Sequence, residues 1–203
     1  MPEIRFTARQ ERLLTGAVHV VARSGLRGLT HRAVDAEAGL PEGSCSAVMR
    51  TRLALLTQLT EYVTAQFARD IADLTQRIEE HVGDEQYPLE QTVAMLRSWL
   101  QDTDLLLVRL ELTIEGSRQP AVAEILQAQW GELVRIVQHA MVATGKEHNP
   151  VGAPTLIAAI DGVLLRAVRE QPANRAGFLH DSLELLMSAL VGKSTPPPNQ
   201  DVS

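Results

Sequence analysis

Residues 25–56 read GLRGLTHRAVDAEAGLPEGSCSAVMRTRLALL. This stretch holds two short apolar-periodic segments on either side of AGLP and then opens a long amphipathic segment. Thr30 is a favourable N-cap for the first short helix, Gly39 can end that helix in a left-handed turn, and Pro41 fixes the entry to the second. Helices of about two turns build little core on their own. The pattern therefore indicates that they fit an external surface.

The remainder of the chain shows helical spacing of its apolar residues. Residues 8–24 form one apolar face, and a long helix is predicted from about 52 to 82, ended by Gly83. Further helices are predicted at about 88–101, 103–116, 120–144, 154–171 and 174–191. No stretch alternates convincingly with period two, and aromatic residues are only 3%. We therefore predict an all-α protein of about nine helices, with a disordered tail at 193–203.

Charge is distributed unevenly along the chain. The net charge is −6, yet residues 1–60 carry eight arginines against five acidic residues, an excess of +3. A basic end on an otherwise acidic chain is expected where only that end meets a polyanion. The single cysteine, Cys45, excludes an internal disulfide, and neither a signal core nor a run of about 18 apolar residues occurs. We expect a cytoplasmic protein that does not span a membrane.

Residues 31–48 are predicted to form a helix-turn-helix unit, because two short helices flank a tight turn that contains glycine. In such a unit the first helix packs across the second, and the second enters a DNA major groove about 12 Å wide. Val34, Leu40 and Val48 are the expected shared core, and Ala36 and Ala38 let the two helices cross closely. This arrangement explains why the helices are short.

The same residues resemble the DNA-binding region of the TetR family of bacterial transcriptional regulators. The resemblance lies in Gly28-Leu29-Thr30, in the segment from Ala33 to Gly39, in Gly43-Ser44, and in the RLALL run that opens the long helix. It implies a helix-turn-helix head at 1–51 and a helical effector-binding and dimerisation body at 52–192. It further implies a homodimeric regulator, most often a repressor that a small molecule releases from a palindromic operator.

The resemblance also implies which residues contact DNA. The segment CSAVM at 45–49 replaces the aromatic run that is usual in the family's recognition helix, so phosphate anchoring is expected to depend more on arginine and threonine. A guanidinium such as that of Arg32 suits guanine O6 and N7, and serine hydroxyls can bind bases or phosphates. The predicted DNA-contacting residues are Thr30, His31, Arg32, Glu42, Gly43, Ser44, Ser46, Ala47, Arg50 and Arg52.

Two further sets of residues are predicted in the body. Polar and aromatic residues within apolar stretches are candidates for an effector cavity, namely Tyr62, Gln66, Trp99, Arg109, Glu111 and Trp130. Apolar stripes on the last two helices are candidates for a dimer interface. The stripes consist of Ile157, Ile160, Leu164, Leu165, Val168, Leu179, Leu183, Leu186 and Leu190.

Other classes of function remain as alternatives. A helical protein-interaction module without DNA binding is favoured by the altered run at 45–49. A small all-α enzyme is less favoured, because no nucleophile–base motif, phosphate-binding loop or metal-ligand spacing occurs. No catalytic residue, metal or cofactor is predicted. Cys45 is expected to be a buried small apolar side chain rather than a redox switch.

Overall fold

Residues 5–81, 83–84, 86–143 and 150–191 are described by the structure, a computed structural model. Nine α-helices and no strand lie within these residues, which confirms the predicted all-α class. The helices are α1 (Ala8–Gly28), α2 (His31–Glu37), α3 (Ser44–Val48), α4 (Arg52–Glu79), α5 (Tyr87–Gln101), α6 (Thr103–Gly116), α7 (Pro120–Ala143), α8 (Gly152–Val168) and α9 (Pro172–Val191). None of these helices is long and apolar enough to cross a membrane. The tail predicted at 193–203 lies outside the described residues.

Threonine caps set the first residues of three helices. The Thr7 hydroxyl accepts a hydrogen bond from the Gln10 amide at 3.3 Å, and the Gln10 side chain accepts one from the Thr7 amide at 2.9 Å. Thr30 and Thr51 each accept from the amide three residues later, at 3.1 and 3.0 Å. Such a cap contributes about 1 kcal/mol. The starts of α1, α2 and α4 are therefore encoded locally.

Helix α1 is broken at Gly25, one residue after the helix end predicted at residue 24. Gly25 has φ 64° and ψ 178°, a backbone conformation that is essentially restricted to glycine. The break redirects the chain so that Leu26 and Leu29 enter the core, where their exposed fractions are 8% and 0%. The end of α1 therefore packs inward before α2 begins.

The first apolar cluster, the head core, joins the helix-turn-helix unit to the rest of the molecule. It takes side chains from α1 to α3 and from the first half of α4, such as Leu13, Val34 and Leu59. Val108 from α6 and Val122 from α7 belong to the same cluster. Because α6 and α7 contribute to it, the head does not pack independently of the body.

The second cluster, the body core, lies between α5, α6, α8 and α9. Its members are Val93, Leu96, Leu100, Leu106, Leu164, Ala167, Leu179 and Leu183. Arg175 on α9 donates hydrogen bonds to the carbonyls of Leu100 at 2.9 Å and Val168 at 3.1 Å, and so ties α9 to the ends of α5 and α8. Several predicted helix limits shift: α4 ends at Glu79, α8 runs from Gly152 to Val168, and α9 begins at Pro172.

Candidate nucleic-acid interface and effector cavity

The turn between α2 and α3 uses two glycines in the left-handed region. Gly39 has φ 61° and Gly43 has φ 93°, so both positions favour glycine over other residues. Helix α3 has only five residues, and its N-cap Gly43 has no side chain that could cap it. Cys45 and Met49, at 0% exposure, anchor the inner side of this helix in the head core. The opposite side of α3 is left open to solvent.

Long-range hydrogen bonds from side chains to the main chain hold this unit in place. Arg12 on α1 donates to the carbonyls of Ala38 at 2.8 Å and Gly39 at 3.3 Å, in the turn after α2. The His31 ring lies 2.6 Å from the Met49 carbonyl, which connects the start of α2 to the end of α3. Each contact joins segments that are distant in sequence. The short helices therefore have a fixed arrangement despite their length.

Two predicted DNA-contacting arginines differ in what they touch. The Arg52 guanidinium donates to the carbonyls of Leu26, at 2.7 Å, and Leu29, and so links the start of α4 to the chain between α1 and α2. Arg32 is instead 84% exposed, with Glu42 4.0 Å away at a similarly exposed position. A phosphate contact by Arg52 stays a prediction, but its side chain already has structural partners.

The remaining predicted DNA-contacting residues fall mostly on the open side. The exposed ones are Thr30, Glu42, Gly43, Ser46, Ala47 and Arg50. Ser44 is an exception: sequence reasoning places it on the exposed face, whereas it is only 5% exposed. The first turn of α3 lies against the rest of the head, so both Ser44 and Cys45 face inward. The outward face of α3 is therefore carried by Ser46 and Ala47.

Cys45 is held as a neutral thiol. Burial, and secondarily the nearby Asp35 carboxylate, raise the pKa of Cys45 to about 11 from an ordinary value of 9.0. A thiol in this state is a poor nucleophile at neutral pH. Among the described residues, no three His, Cys, Asp or Glu side chains come together as a metal site. Packing and hydrogen bonding are therefore the interactions that this region offers.

A cavity of about 180 Å³ lies between α4, α5 and the start of α6. Gln66 and Trp99, two of the predicted effector residues, line it together with Phe67, Asp70, Ser98, Asp102, Leu105 and Leu106. The Trp99 indole N–H donates to Asp70 Oδ2 at 2.7 Å, and its ring meets Phe67 edge-on with 4.7 Å between centroids. The cavity thus combines two aromatic rings with two carboxylates and has no basic side chain in its lining.

The other four predicted effector residues do not line this cavity. Tyr62 faces α1, where its hydroxyl is 3.1 Å from the Thr15 hydroxyl. Arg109 forms an ion pair with Asp161 on α8, and its guanidinium lies 5.3 Å from the Phe67 ring centroid. Glu111 lies beside Gly25 in a separate cleft of about 290 Å³ between α1 and α6. Trp130 is 40% exposed on α7.

Sequence reasoning missed Asp70 and Asp102, although helical spacing could have indicated them. Asp70 follows Gln66 by four residues on α4, and Asp102 follows Trp99 by three at the end of α5. Residues at these spacings share a helix face. An apolar stripe is the stronger signal on both helices, and acidic residues at its edge are usually read as solvated.

The body matches a family model. Residues 83–193, more than half of the chain, match the tetracycline repressor-like C-terminal domain. The chain belongs to the TetR family. The α2–turn–α3 unit lies outside the matched residues. Among curated proteins, no sequence matches this chain.

Solved structures show the same TetR-family fold. A transcriptional regulator from Rhodococcus sp. Rha1 is 18% identical with a TM-score of 0.72, and the match covers 90% of this chain and 97% of that one. A TetR family member from Streptomyces coelicolor A3 is 24% identical with a TM-score of 0.68, covering 89% and 98%. The multidrug binding protein EbrR in complex with ethidium is 26% identical with a TM-score of 0.63, covering 90% and 99%.

The stripes predicted as a TetR-family dimer face are divided between the two sides of α8 and α9. Leu164, Leu179 and Leu183 are 0–1% exposed within the protomer, where they pack in the body core. Ile157 is also buried; Ile160, Val168 and Leu186 are half-buried, and the side chain of Leu190 lies outside the described residues. Leu165 is 52% exposed and faces away from the body core. Leu185, which was not predicted, is 69% exposed.

Proposed function

We propose that this TetR-family regulator binds a palindromic operator as a homodimer and is released from it by a small molecule. The observation that carries the proposal is the α2–turn–α3 unit, whose outer side is open while its inner side is fixed in the head core. A short helix with a rigid support and a free polar face suits entry into a major groove. Repression is the simplest consequence, because a bound dimer occludes the operator.

The exposed residues suggest separate roles within the interface. Arg32 on α2, with Glu42 4.0 Å away, and Arg50 just after α3 are exposed cations and would contact phosphates or guanine. Ser46 and Ala47 lie on the outward face of α3 and would contact base edges, with Ser46 also donating to the Gly43 carbonyl at 3.1 Å. Thr30, Glu42 and Gly43 flank this face. Arg52, His31 and Ser44 would act mainly by holding the unit in shape.

Selection from a random duplex pool followed by gel-shift titration tests DNA binding. Arg50→Ala is expected to weaken binding to all sequences and to reduce the salt slope by about 1. The matched control is Arg97→Ala, which removes an exposed arginine on α5 in the body. If both variants bind alike, Arg50 does not contact phosphate. If the wild-type chain selects no DNA sequence, the proposal of operator binding is wrong, and a helical protein-interaction module becomes the favoured function.

The effector is proposed to be a small aromatic cation that enters the cavity beside Trp99. Aromatic faces attract cations, and carboxylates such as Asp70 and Asp102 complement their charge. The likeness to EbrR in complex with ethidium gives a reason to use that dye as the first probe. Ethidium fluorescence should rise on binding, and Asp70→Asn should weaken binding about tenfold. Asp73→Asn, on the exposed side of α4, is the control and should bind like the wild type.

Helix α4 is proposed to carry the signal. Its 28 residues span about 42 Å, and it begins against the head and passes the cavity at Gln66 and Phe67. A ligand that tilts it would move both heads of the dimer relative to successive major grooves. The coupling expected of such a switch is about 1–3 kcal/mol, and operator must weaken effector binding by the same factor. Calorimetric titration with and without operator tests this; equal affinities would exclude a ligand-released repressor.

The dimer is proposed to form through the outer sides of α8 and α9. Leu165 and Leu185 are large apolar side chains that project from these helices into solvent. Pairing two such helix pairs about a two-fold axis would bury both residues in a four-helix bundle. Sedimentation should show a wild-type dimer at micromolar concentration and a weaker dimer for Leu165→Asp. A stable wild-type monomer would contradict this proposal.

A further inference from the structure

The carboxylate of Asp35 lies at the start of α3 although Asp35 itself belongs to α2. Its Oδ2 accepts a hydrogen bond from the Gly43 amide at 2.8 Å, and its Oδ1 accepts one from the Cys45 amide at 2.7 Å. Asp35 is 2% exposed. Both oxygens of a buried carboxylate are therefore committed to the first turn of a neighbouring helix.

Helix α3 needs this support because it cannot provide its own. A five-residue helix has too few internal hydrogen bonds to be stable alone, and a glycine N-cap offers no side-chain acceptor. A carboxylate at a helix N-terminus is favoured by the helix dipole, and hydrogen bonds to a charged acceptor are about twice as strong as neutral ones. Asp35 thus provides the cap that α3 lacks.

The main chain of Asp35 holds the turn as well. Its carbonyl accepts a hydrogen bond from the Leu40 amide at 2.9 Å, so one residue fixes both the path of the turn and the first turn of α3. The orientation of that first turn sets the direction of the Ser46 and Ala47 side chains. A change in the orientation of that turn would change where Ser46 and Ala47 point.

We propose that Asp35 is a positioning residue for DNA recognition: it orients α3 relative to α2 so that the outer face of α3 meets base edges in register. This inference rests on the DNA-binding function proposed above. It also assigns the Gly43 and Cys45 amides to a partner inside the protein. These two amides are then unavailable to a DNA phosphate, and sequence discrimination falls to side chains.

The substitution that tests the proposal is Asp35→Asn, with Asp35→Ala as a second variant. Asparagine keeps the shape but replaces one acceptor with an N–H donor, which would face an amide N–H. The matched control is Glu37→Gln, two residues later on the same helix. Glu37 pairs with Arg23 of α1 at 2.7 Å, and that hydrogen bond holds the pKa of its carboxyl below the ordinary value. The control therefore removes a carboxylate charge from α2 without altering either contact to α3.

Binding is measured at equal folded concentration to two duplexes: the one selected by the wild-type protein and a scrambled version of it. Asp35→Asn is expected to weaken binding to the selected duplex about tenfold or more, while binding to the scrambled duplex and the salt slope stay the same. Glu37→Gln should leave the ratio of the two affinities unchanged. A residue with only a structural role would lower the folded fraction without changing that ratio.

Amide hydrogen exchange gives a second measurement that needs no DNA. The Gly43 and Cys45 amides should be protected in the wild-type protein and exchange faster in Asp35→Asn. If the wild-type protein selects a duplex but both Asp35 variants retain the full affinity ratio, the positioning role is wrong. Unprotected Gly43 and Cys45 amides in the wild-type protein would also overturn it. If the wild-type protein shows no selectivity, the proposed function itself fails, whatever the amides show.

Discussion

The head and the body are held together by different kinds of contact. In the head, Arg12, His31, Asp35 and Arg52 reach main-chain groups between 8 and 27 residues away, and these contacts fix three helices of which two have seven residues or fewer. In the body, helices of 14 to 28 residues pack mainly through apolar stripes, and Arg175 makes the comparable main-chain contacts. Short helices need directed hydrogen bonds, whereas long helices can slide on apolar surfaces. The arrangement of the short helices therefore depends on a few hydrogen bonds from side chains to the main chain, and that of the long helices depends on apolar packing.

The largest loss of stability is expected at only one of two adjacent residues of α8. Leu164 is 1% exposed in the body core and Leu165 is 52% exposed. Leu164→Asp buries an unpaired carboxylate and should lower the free energy of unfolding by about 4 kcal/mol or more. Leu165→Asp should leave the stability of the protomer almost unchanged and act on dimerisation instead. Urea denaturation at low protein concentration measures the stability of each protomer. Equal losses of unfolding free energy in the two variants would contradict the described packing of α8.

Sequence patterns predicted the local features of the head and few of its long-range contacts. The cap at Thr30 and the turn at Gly39 depend on residues within one helical turn, so the sequence shows them directly. The partners of Arg52 are carbonyls 23 and 26 residues away, and no periodicity encodes a main-chain acceptor. The position of Arg52 next to α3 therefore predicts a phosphate contact, while its carbonyl partners leave no trace in the sequence pattern.

The body was predicted less well because its helices are apolar on more than one side. The stripe through α8 includes both Leu164 and Leu165, and a period of 3.6 does not tell which side faces the protomer. The cavity beside Trp99 depends on how α4, α5 and α6 cross. Gln66 and Trp99 were predicted from their polarity within apolar runs, whereas Arg109 and Glu111, chosen on the same grounds, lie against Asp161 and Gly25.

A smaller loss of stability is expected when the hydrogen bonds that hold the head are removed. Arg52→Ala removes two charge-assisted hydrogen bonds to the carbonyls of Leu26 and Leu29 and should lower the free energy of unfolding by about 2 kcal/mol. Arg50→Ala, two residues earlier and exposed, should leave stability unchanged and reduce DNA affinity. Thermal unfolding of both variants sharpens the comparison. If Arg52→Ala melts like the wild type while Arg50→Ala does not, the two arginines have exchanged roles.

Gly25 tests the junction between head and body. Alanine at φ 64° and ψ 178° is strained, so Gly25→Ala should cost about 1–2 kcal/mol. The added Cβ would lie 3.7 Å from the Glu111 carboxylate, an ordinary contact, so the cost comes from the backbone rather than from a clash. Gly131→Ala on α7 is the control: its Cβ would meet nothing within 4 Å, and it should stabilise the protein by about 0.5–1 kcal/mol. Equal melting temperatures for the two variants would show that the break in α1 is not strained.

The smallest effect is expected at alkaline pH and concerns only the head. The folded protein raises the pKa of Cys45 to about 11, through burial first and the Asp35 carboxylate second, so ionisation favours the unfolded chain. This contribution to stability is complete below pH 9.0, the ordinary pKa, and is lost as the pH rises from there through about 11. Urea unfolding at pH 7.5, 9, 10 and 10.5 should therefore show a steeper decline in the wild type than in Cys45→Ala, which lacks the titrating group but keeps every other one. The thiol should also react slowly with iodoacetamide at pH 8 until the protein is unfolded. Parallel pH profiles for the two proteins would mean that Cys45 ionises as easily in the folded head as in the unfolded chain, and that the core beneath α3 is open to water.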